Sequence, residues 1–200
     1  MHYVTFGFLG QHLHGPAFHQ YLRLRKWYFV DVLGWNIPHD DDVEMDQYDN
    51  PCAHYALVLR GSAVVGGARM MPTTASWGQH SYMLRDAHLG RIDIPRQVVS
   101  EEIVSRDVWE CTRFVVSDDL DTQADRVECL SLILWGCGEL LQQNGGSEVI
   151  SLSPVPMLRT LRQLGYPANR IGEPYSEMDG RRYATIRIPA LTPAHAIAAE

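Results

Sequence analysis

The sequence predicts a mixed α/β fold with one central sheet, on three observations. Strand-like segments recur, alternating apolar and polar at 3–8, 108–116 and 183–188, and more continuously apolar or β-branched at 53–59, 63–71 and 148–152. Apolar residues at three- and four-residue steps mark helices at 16–33, 122–143 and 157–164. Strands and helices interleaved in this way form layers on a single sheet.

Each element has its local reason. From Pro16 the residues Phe18, Tyr21, Leu22, Tyr28, Phe29, Val32 and Leu33 keep helical spacing until Gly34 supplies the stop. Arg25 and Phe29 then share one helical face. The turn Arg60-Gly61-Ser62 joins 53–59 to 63–71 as a hairpin, and Gly66-Gly67 in its second arm predicts a bulge or the close approach of another group. Arg69 alternates with apolar neighbours there and is placed to point into a cleft. Residues 72–90 are irregular with a short helix near 82–88, and 91–107 reads as a surface insertion. Alternation along 108–116 puts Trp109, Cys111 and Arg113 on one face and Glu110, Thr112 and Phe114 on the other, unless a bulge intervenes. In 122–143 the apolar side is Val127, Leu130, Leu134, Cys137 and Leu141, and Asn144-Gly145-Gly146 ends the helix.

A chain of 200 residues fits one domain, 1–200, with no linker or repeat to divide it. Its longest apolar run, near Leu130 to Trp135, is far short of the ~20 residues that span a bilayer. The N-terminus lacks a secretory signal, so a cytoplasmic protein is expected. Cys52, Cys111, Cys129 and Cys137 have no metal-site spacing and are expected as small buried thiols. His12, His14 and His19 likewise offer no zinc-binding pattern, so no metal is expected. The net charge of -7 argues against a nucleic-acid partner, which would want a basic face. Residues 151–200 are nevertheless basic, with Arg159, Arg162, Arg170, Arg181, Arg182 and Arg187 against Glu173, Glu177, Asp179 and Glu200. A locally basic face suits an acidic partner.

The chemistry concentrates around residues 40–51, where Glu44, Asp46 and Asp49 follow Asp40-Asp41-Asp42. A calcium loop starting at Asp40 fails, because Met45 falls where the turn needs Gly and Pro51 where a bidentate Glu is needed. The acids have other company. Arg25, Arg69, Arg113 and Glu110 each sit in or beside an apolar segment, where a charge is costly unless paired.

Taken together, Arg25 with Phe29, Trp35, Glu44-x-Asp46-Gln47-Tyr48-Asp49, Gly66-x-x-Arg69, Met71-Pro72-Thr73-Thr74 and Trp109-Glu110-x-x-Arg113-Phe114 resemble the acyl-homoserine-lactone synthase (LuxI-type autoinducer synthase) family. The resemblance runs from about residue 20 to 166 and takes in Pro156-Met157-Leu158. It implies a GNAT-like N-acyltransferase fold, in which the strands at 108–116 and 148–152 splay apart to admit a pantetheine arm. It also implies the reaction: the α-amine of S-adenosylmethionine attacks an acyl thioester, and the methionyl carboxylate then displaces methylthioadenosine to close a lactone. S-adenosylmethionine and an acyl-phosphopantetheine thioester are thus substrates, and no prosthetic group is expected.

The residues fit that chemistry. An amine nucleophile must lose a proton, and Glu110 is the candidate base. Asp46 and Asp49, more than Glu44, are read as the acids that organise a cleft for the cationic donor, with Arg25, Arg69 and Arg113 pairing them or gripping the substrate carboxylate. Phe29 and Trp35 would wall the sulfonium and adenine, although both also fit core packing. Thr112 lies beside Glu110. Ser151 stands where members preferring 3-oxo chains often carry Thr, which points to a 3-oxo or 3-hydroxy acyl chain. Met83-Leu84-Arg85-Asp86-Ala87-His88 departs from the family by placing His88 at a usually aromatic position.

Two other functions compete. A general acyl-CoA N-acyltransferase would carry a glycine-rich phosphate cradle after the catalytic strand, yet that turn is Val116-Ser117-Asp118-Asp119-Leu120-Asp121. The acidic turn favours acyl-carrier protein, docking on Arg159, Arg162, Arg181 and Arg182, over acyl-CoA. A silent acyl-carrier or ligand-binding homologue would not need the full set of charged residues. A monomer is expected.

Overall fold

Strand β1 (His2–Gly7) pairs antiparallel with β2 (His54–Arg60), and β2 with β3 (Ala63–Pro72), in a computed structural model that describes residues 1–189. Glu200, counted above with the C-terminal charge, lies outside those residues. The chain divides into two units. The first holds residues 1–70 and 113–140, the second 71–112 and the chain from Leu141 on.

In the first unit, β2 is an unbroken apolar run because both its faces are covered: Tyr55, Ala56, Leu57 and Val58 have no exposed surface. The hairpin turn is only two residues, Gly61-Ser62, with Gly61 at φ 63°, which favours glycine. The expected bulge is present one step before the glycine pair. Val58 pairs with Gly66 and Leu59 with Val64, which leaves Val65 as the extra residue. The glycines themselves serve close packing. A Cβ on Gly67 would stand 2.6 Å from Leu57 Cδ2 and 2.9 Å from the Tyr21 ring, and one on Gly66 would stand 2.6 Å from Cys129 Sγ. Tyr21 lies on α1 (Ala17–Arg25) and Cys129 on α3 (Gln123–Gln143), so the pair lets one helix approach each face of β3.

Two helical expectations change in detail. A 3-10 turn, Phe8–His14, precedes α1, and the helix read as 16–33 widens after Arg25 into a π-helical segment, Lys26–Val32. Arg25 and Phe29 still both face inward, with Arg25 wholly buried. Gly34, at φ 69°, ends the segment as expected. On α3 the expected Leu130, Leu134, Cys137 and Leu141 are buried together with Cys129, Ile133 and Leu140, while Val127, expected inside, is exposed, as is Trp135.

The second unit contains the first half of β4 (Val108–Val116), α2 (Met83–His88), a 3-10 turn Arg96–Val98, β5 (Glu148–Pro154), α4 (Met157–Gln163) and the strands β6 (Asn169–Arg170), β7 (Tyr175–Ser176) and β8 (Arg182–Ile188). β5 pairs antiparallel with β8 along six positions, and the two-residue strands β6 and β7, too short for alternation to register, pair with β8. Residues 91–107 lie mostly at the surface, as read, but are anchored at Val98 and Val99. Val98 and Val99 are buried, the Thr185 hydroxyl donates to the Val98 carbonyl at 2.5 Å, and at Gly172 any Cβ would collide with that carbonyl.

The strand order is β1-β2-β3-β4-β5-β8-β6, a single mixed sheet in which β4 and β5 pair in parallel. That register covers only Val108↔Glu148, Trp109↔Val149 and Glu110↔Ile150. Beyond it both strands continue, so β4 and β5 part immediately after Glu110 and Ile150. Among the described residues no helix is long and apolar enough to cross a membrane, and no disulfide forms; Cys111, Cys129 and Cys137 are buried and Cys52 half-buried.

Candidate functional site

Six charged side chains of the first unit form a buried, charge-balanced network. The Arg25 guanidinium grips Asp49 through both terminal nitrogens at 2.8 Å, and its Nε donates to Glu44 at 2.6 Å. Arg69 donates to Asp46 at 2.5 and 3.2 Å and lies 3.0 Å from Asp49. Arg113 closes the circuit, with Nε 3.1 Å from Glu44 and Nη2 2.7 Å from Asp46. Three cations thus meet three carboxylates, each acid touched by two arginines, in planar contacts of the strong charge-assisted kind. Hydrogen bonds to the carboxylates shape the loop that brings the acids in. The Asp46 amide donates to Asp49, the Tyr48 amide to Asp46, and the Tyr55 hydroxyl to Asp49 at 2.9 Å.

Aromatic rings pack against the same cations. Arg25 lies over Tyr21, Arg69 over Tyr48 and Arg113 over Phe29, at 5.4 to 5.5 Å from each ring centroid. Phe29 in turn stacks on Trp35 at 5.0 Å. Trp35 is partly exposed whereas Phe29 is buried, so the aromatic pair leads from the network to the surface.

Arg113 is the one described non-glycine residue with positive φ, at 53°. The break in alternation that the sequence left open therefore falls there. The Tyr21 hydroxyl holds the carbonyl of that residue at 2.7 Å.

Sequence reasoning brought these residues together but underweighted Glu44. Its carboxylate is fully buried and bridges Arg25 to Arg113. It also missed Tyr55. Arg69, expected to point into a cleft, is instead enclosed by Asp46 and Asp49.

Burial alone would raise the acids, but the arginines prevail. Arg69 and Arg25 hold Asp49 far below the usual carboxylate range, and Arg69 and Arg113 hold Asp46 below it. Burial likewise disfavours the Arg25 cation, and Asp49 and Glu44 reverse this, so its pKa rises well above the usual value. Carboxylates depressed in the folded state contribute stability above their unfolded pKa, lost as pH falls through the folded values. Urea midpoints measured from pH 7 downward should therefore decline once pH drops below about 4, the ordinary carboxylate value. A midpoint flat from pH 4 to 2.5 would contradict the ionised network.

The second unit presents a separate carboxylate. Glu110 is 2% exposed, and its two oxygens accept the backbone N–H groups of Met83 and Leu84, at 2.9 and 2.7 Å, where α2 begins. Asp86 braces that turn. Wholly buried, it accepts from the Ser81 amide and, at 2.7 Å, the Ser81 hydroxyl, and lies 3.2 Å from His80 and Arg91. The short helix near 82–88 was legible; the amides it aims at Glu110 were not.

The β4, β5 and β8 registers set the faces. Glu110, Ile150, Leu152 and Thr185 point to one side, and Ser151 and Ser153 to the other. Ser151 and Ser153 hydrogen-bond each other at 2.9 Å and are both buried. Ser153 was missed, although alternation from Ser151 would have found it. Thr112 is buried on β4 just beyond the last paired residue. Among the described residues no group of His, Cys, Asp and Glu is disposed to hold a metal.

Comparison with known proteins finds one family. The family model for autoinducer synthases matches residues 12–191. An acyl-homoserine-lactone synthase from Acinetobacter nosocomialis is 30% identical over 163 residues, covering 76% of this chain and 80% of that one. One from Pseudomonas aeruginosa is 27% identical over 172 residues, covering 84% and 77%. Among solved structures, TofI in a ternary complex with an inhibitor and MTA superposes with a TM-score of 0.72 at 27% identity, covering 94% of this chain and 91% of that one.

Proposed function

Because this chain belongs to the autoinducer synthase family, we propose that it acylates the α-amine of S-adenosylmethionine from an acyl thioester and closes the product to an acyl-homoserine lactone. The observation that carries this reading is the parting of β4 and β5 directly after Glu110, within a GNAT-like sheet. A pantetheine arm is an extended polar chain. Backbone groups freed at such an opening can hydrogen-bond it and can stabilise the oxyanion of the attacked carbonyl.

In the first step the amine forms a bond to the thioester carbonyl carbon, the C–S bond breaks, and the carrier leaves as its thiol. The amine's proton passes to Glu110, directly or through one water. The Glu110 oxygens accept the Met83 and Leu84 amides, which orient the carboxylate, and each carboxylate oxygen has more than one lone-pair site. In the second step a carboxylate oxygen of the acylated substrate attacks its own γ-carbon, the sulfonium C–S bond breaks, and neutral methylthioadenosine departs. The MTA in the TofI complex agrees with that product.

Phe29 and Trp35 supply the aromatic surface for the sulfonium and adenine. Arg25, Arg69, Arg113, Asp46 and Asp49, with Glu44, hold that surface by satisfying one another. Thr112 lines the opening on β4. The Ser151–Ser153 pair offers hydroxyls to a 3-oxo or 3-hydroxy group. A buried hydroxyl pair left without its ligand partner disfavours an unsubstituted chain.

The donor we propose is acyl-carrier protein. The turn after β4 carries Asp118, Asp119 and Asp121, with Asp118 paired to Arg126 at 3.0 Å, and such an acidic turn suits a pyrophosphate poorly. Arg159, Arg162, Arg181 and Arg182 are exposed for an acidic carrier, and Arg162 also donates to the Ala168 carbonyl at 2.8 Å. The protein acts in the cytoplasm as a monomer in this reading.

The test is incubation with S-adenosylmethionine and a panel of acyl-carrier-protein and acyl-CoA thioesters, following methylthioadenosine release and lactone mass. Release with carrier-protein donors and a 3-substituted lactone is expected. Absence of methylthioadenosine with every donor would refute the synthase reading.

A further inference from the structure

A cavity of about 690 Å³ opens in the second unit between the end of α2, the 3-10 turn at 96–98 and the chain at 170–173. Its polar lining includes His88, Arg96, Arg170, Ser100 and Glu173. None of these takes part in the chemistry above. The cavity lies on the Glu110 side of β5, because Thr185 on that side holds the Val98 carbonyl. It is nevertheless separated from the Met83 and Leu84 amides by the six residues of α2, about 9 Å of helix.

The walls are fixed in advance. Gly172 sits so close to Val98 that no side chain fits between them, and the Glu173 amide donates to the Gln97 carbonyl at 3.4 Å. Arg96 is positioned by Gly90, at φ 69°, whose missing side chain leaves room for the guanidinium. Among the described residues neither Arg96 nor Arg170 makes an ion pair. The Nδ1 atom of His88 is buried with no hydrogen-bond partner, so no bond at that atom locks the ring. An imidazole and two arginines brought to one concave wall from separate segments are the donors a dianion requires. Guanidinium forks in particular match phosphate oxygens.

We propose that this cavity is a binding site for a small phosphomonoester, seated between Arg96 and Arg170 with His88 as a further donor. Glu173 shares the lining, so the occupant carries hydroxyl donors beyond its phosphate. This gives His88, which departs from the family's aromatic pattern, a place in a second ligand site.

The experiment is calorimetric titration of the full chain with glycerol 3-phosphate and, separately, inorganic phosphate, in the parent and in Arg96→Ala and Arg170→Ala. It reads binding without turnover, so its outcome is independent of the synthase reading. Saturable binding of glycerol 3-phosphate, weakened at least about tenfold by each substitution, is expected, with unchanged thermal midpoints showing that the variants fold. Equal affinity for inorganic phosphate would identify free phosphate as the occupant of the same site. No heat with either probe, or binding that both variants retain in full, would overturn the proposal.

Discussion

Arg25→Ala should destabilise the protein by roughly 3–5 kcal/mol, the usual consequence of removing one partner from a buried ion pair. The reason is accounting of charge. Arg25 is wholly buried and neutralises both Asp49 and Glu44. Without it the network holds three carboxylates and two guanidiniums, with no solvent to screen the surplus. Asp49 retains Arg69 and the Tyr55 hydroxyl, and Glu44 retains Arg113, so collapse of the whole loop is not expected. Arg25→Lys should recover only part of the loss, because an ammonium cannot fork onto Asp49 while also reaching Glu44. Urea unfolding of the three proteins at pH 7 measures both effects. A loss below about 1 kcal/mol for the alanine variant would mean the network is worth no more than exposed surface pairs.

Glu110→Gln should lower kcat by about 10²- to 10⁴-fold, the range for a lost general base, while S-adenosylmethionine binding changes little. Part of the effect is structural. The Met83 and Leu84 N–H groups both require acceptors, and a glutamine amide offers one oxygen and sets its NH2 against the other donor. Glu110→Asp separates the two contributions. It keeps a carboxylate but withdraws it by one methylene, so raising the pH should not restore the glutamine variant but should leave the aspartate variant with measurable turnover. A glutamine variant turning over within about threefold of the parent would remove Glu110 from proton transfer.

How much of this was legible in the sequence depended on distance along the chain. Strands and helices follow local periodicity, and most were placed within a few residues. The π-helical segment was not, because Lys26 to Val32 has a composition that an α-helix would also accept. The charged network was half legible. Arginines in apolar surroundings announce that acids must meet them, but not which acids. Glu44 gained its central place because its backbone amide donates to the Leu22 carbonyl at 3.2 Å, a contact no spacing rule contains. The Glu110 contact to α2 spans 26 residues and depends on the path of an irregular loop. The anchor of the insertion at 91–107 was not legible because its short apolar pair, Val98 and Val99, carries no period. Its partners, Thr185 and Gly172, are more than seventy residues away.

Residue 113 is subject to two demands that no single alternative meets. A left-handed backbone suits glycine or asparagine and costs other residues about 1–2 kcal/mol. The carboxylates of Glu44 and Asp46 require a guanidinium at the same place. The network therefore acts as a clamp on the main chain as well as a store of paired charge, holding β4 in a conformation it would otherwise leave. On that view the ion pairs and the irregularity of the strand persist together: a glycine there would relax the backbone and release two acids, and a lysine would keep a charge and loosen the clamp.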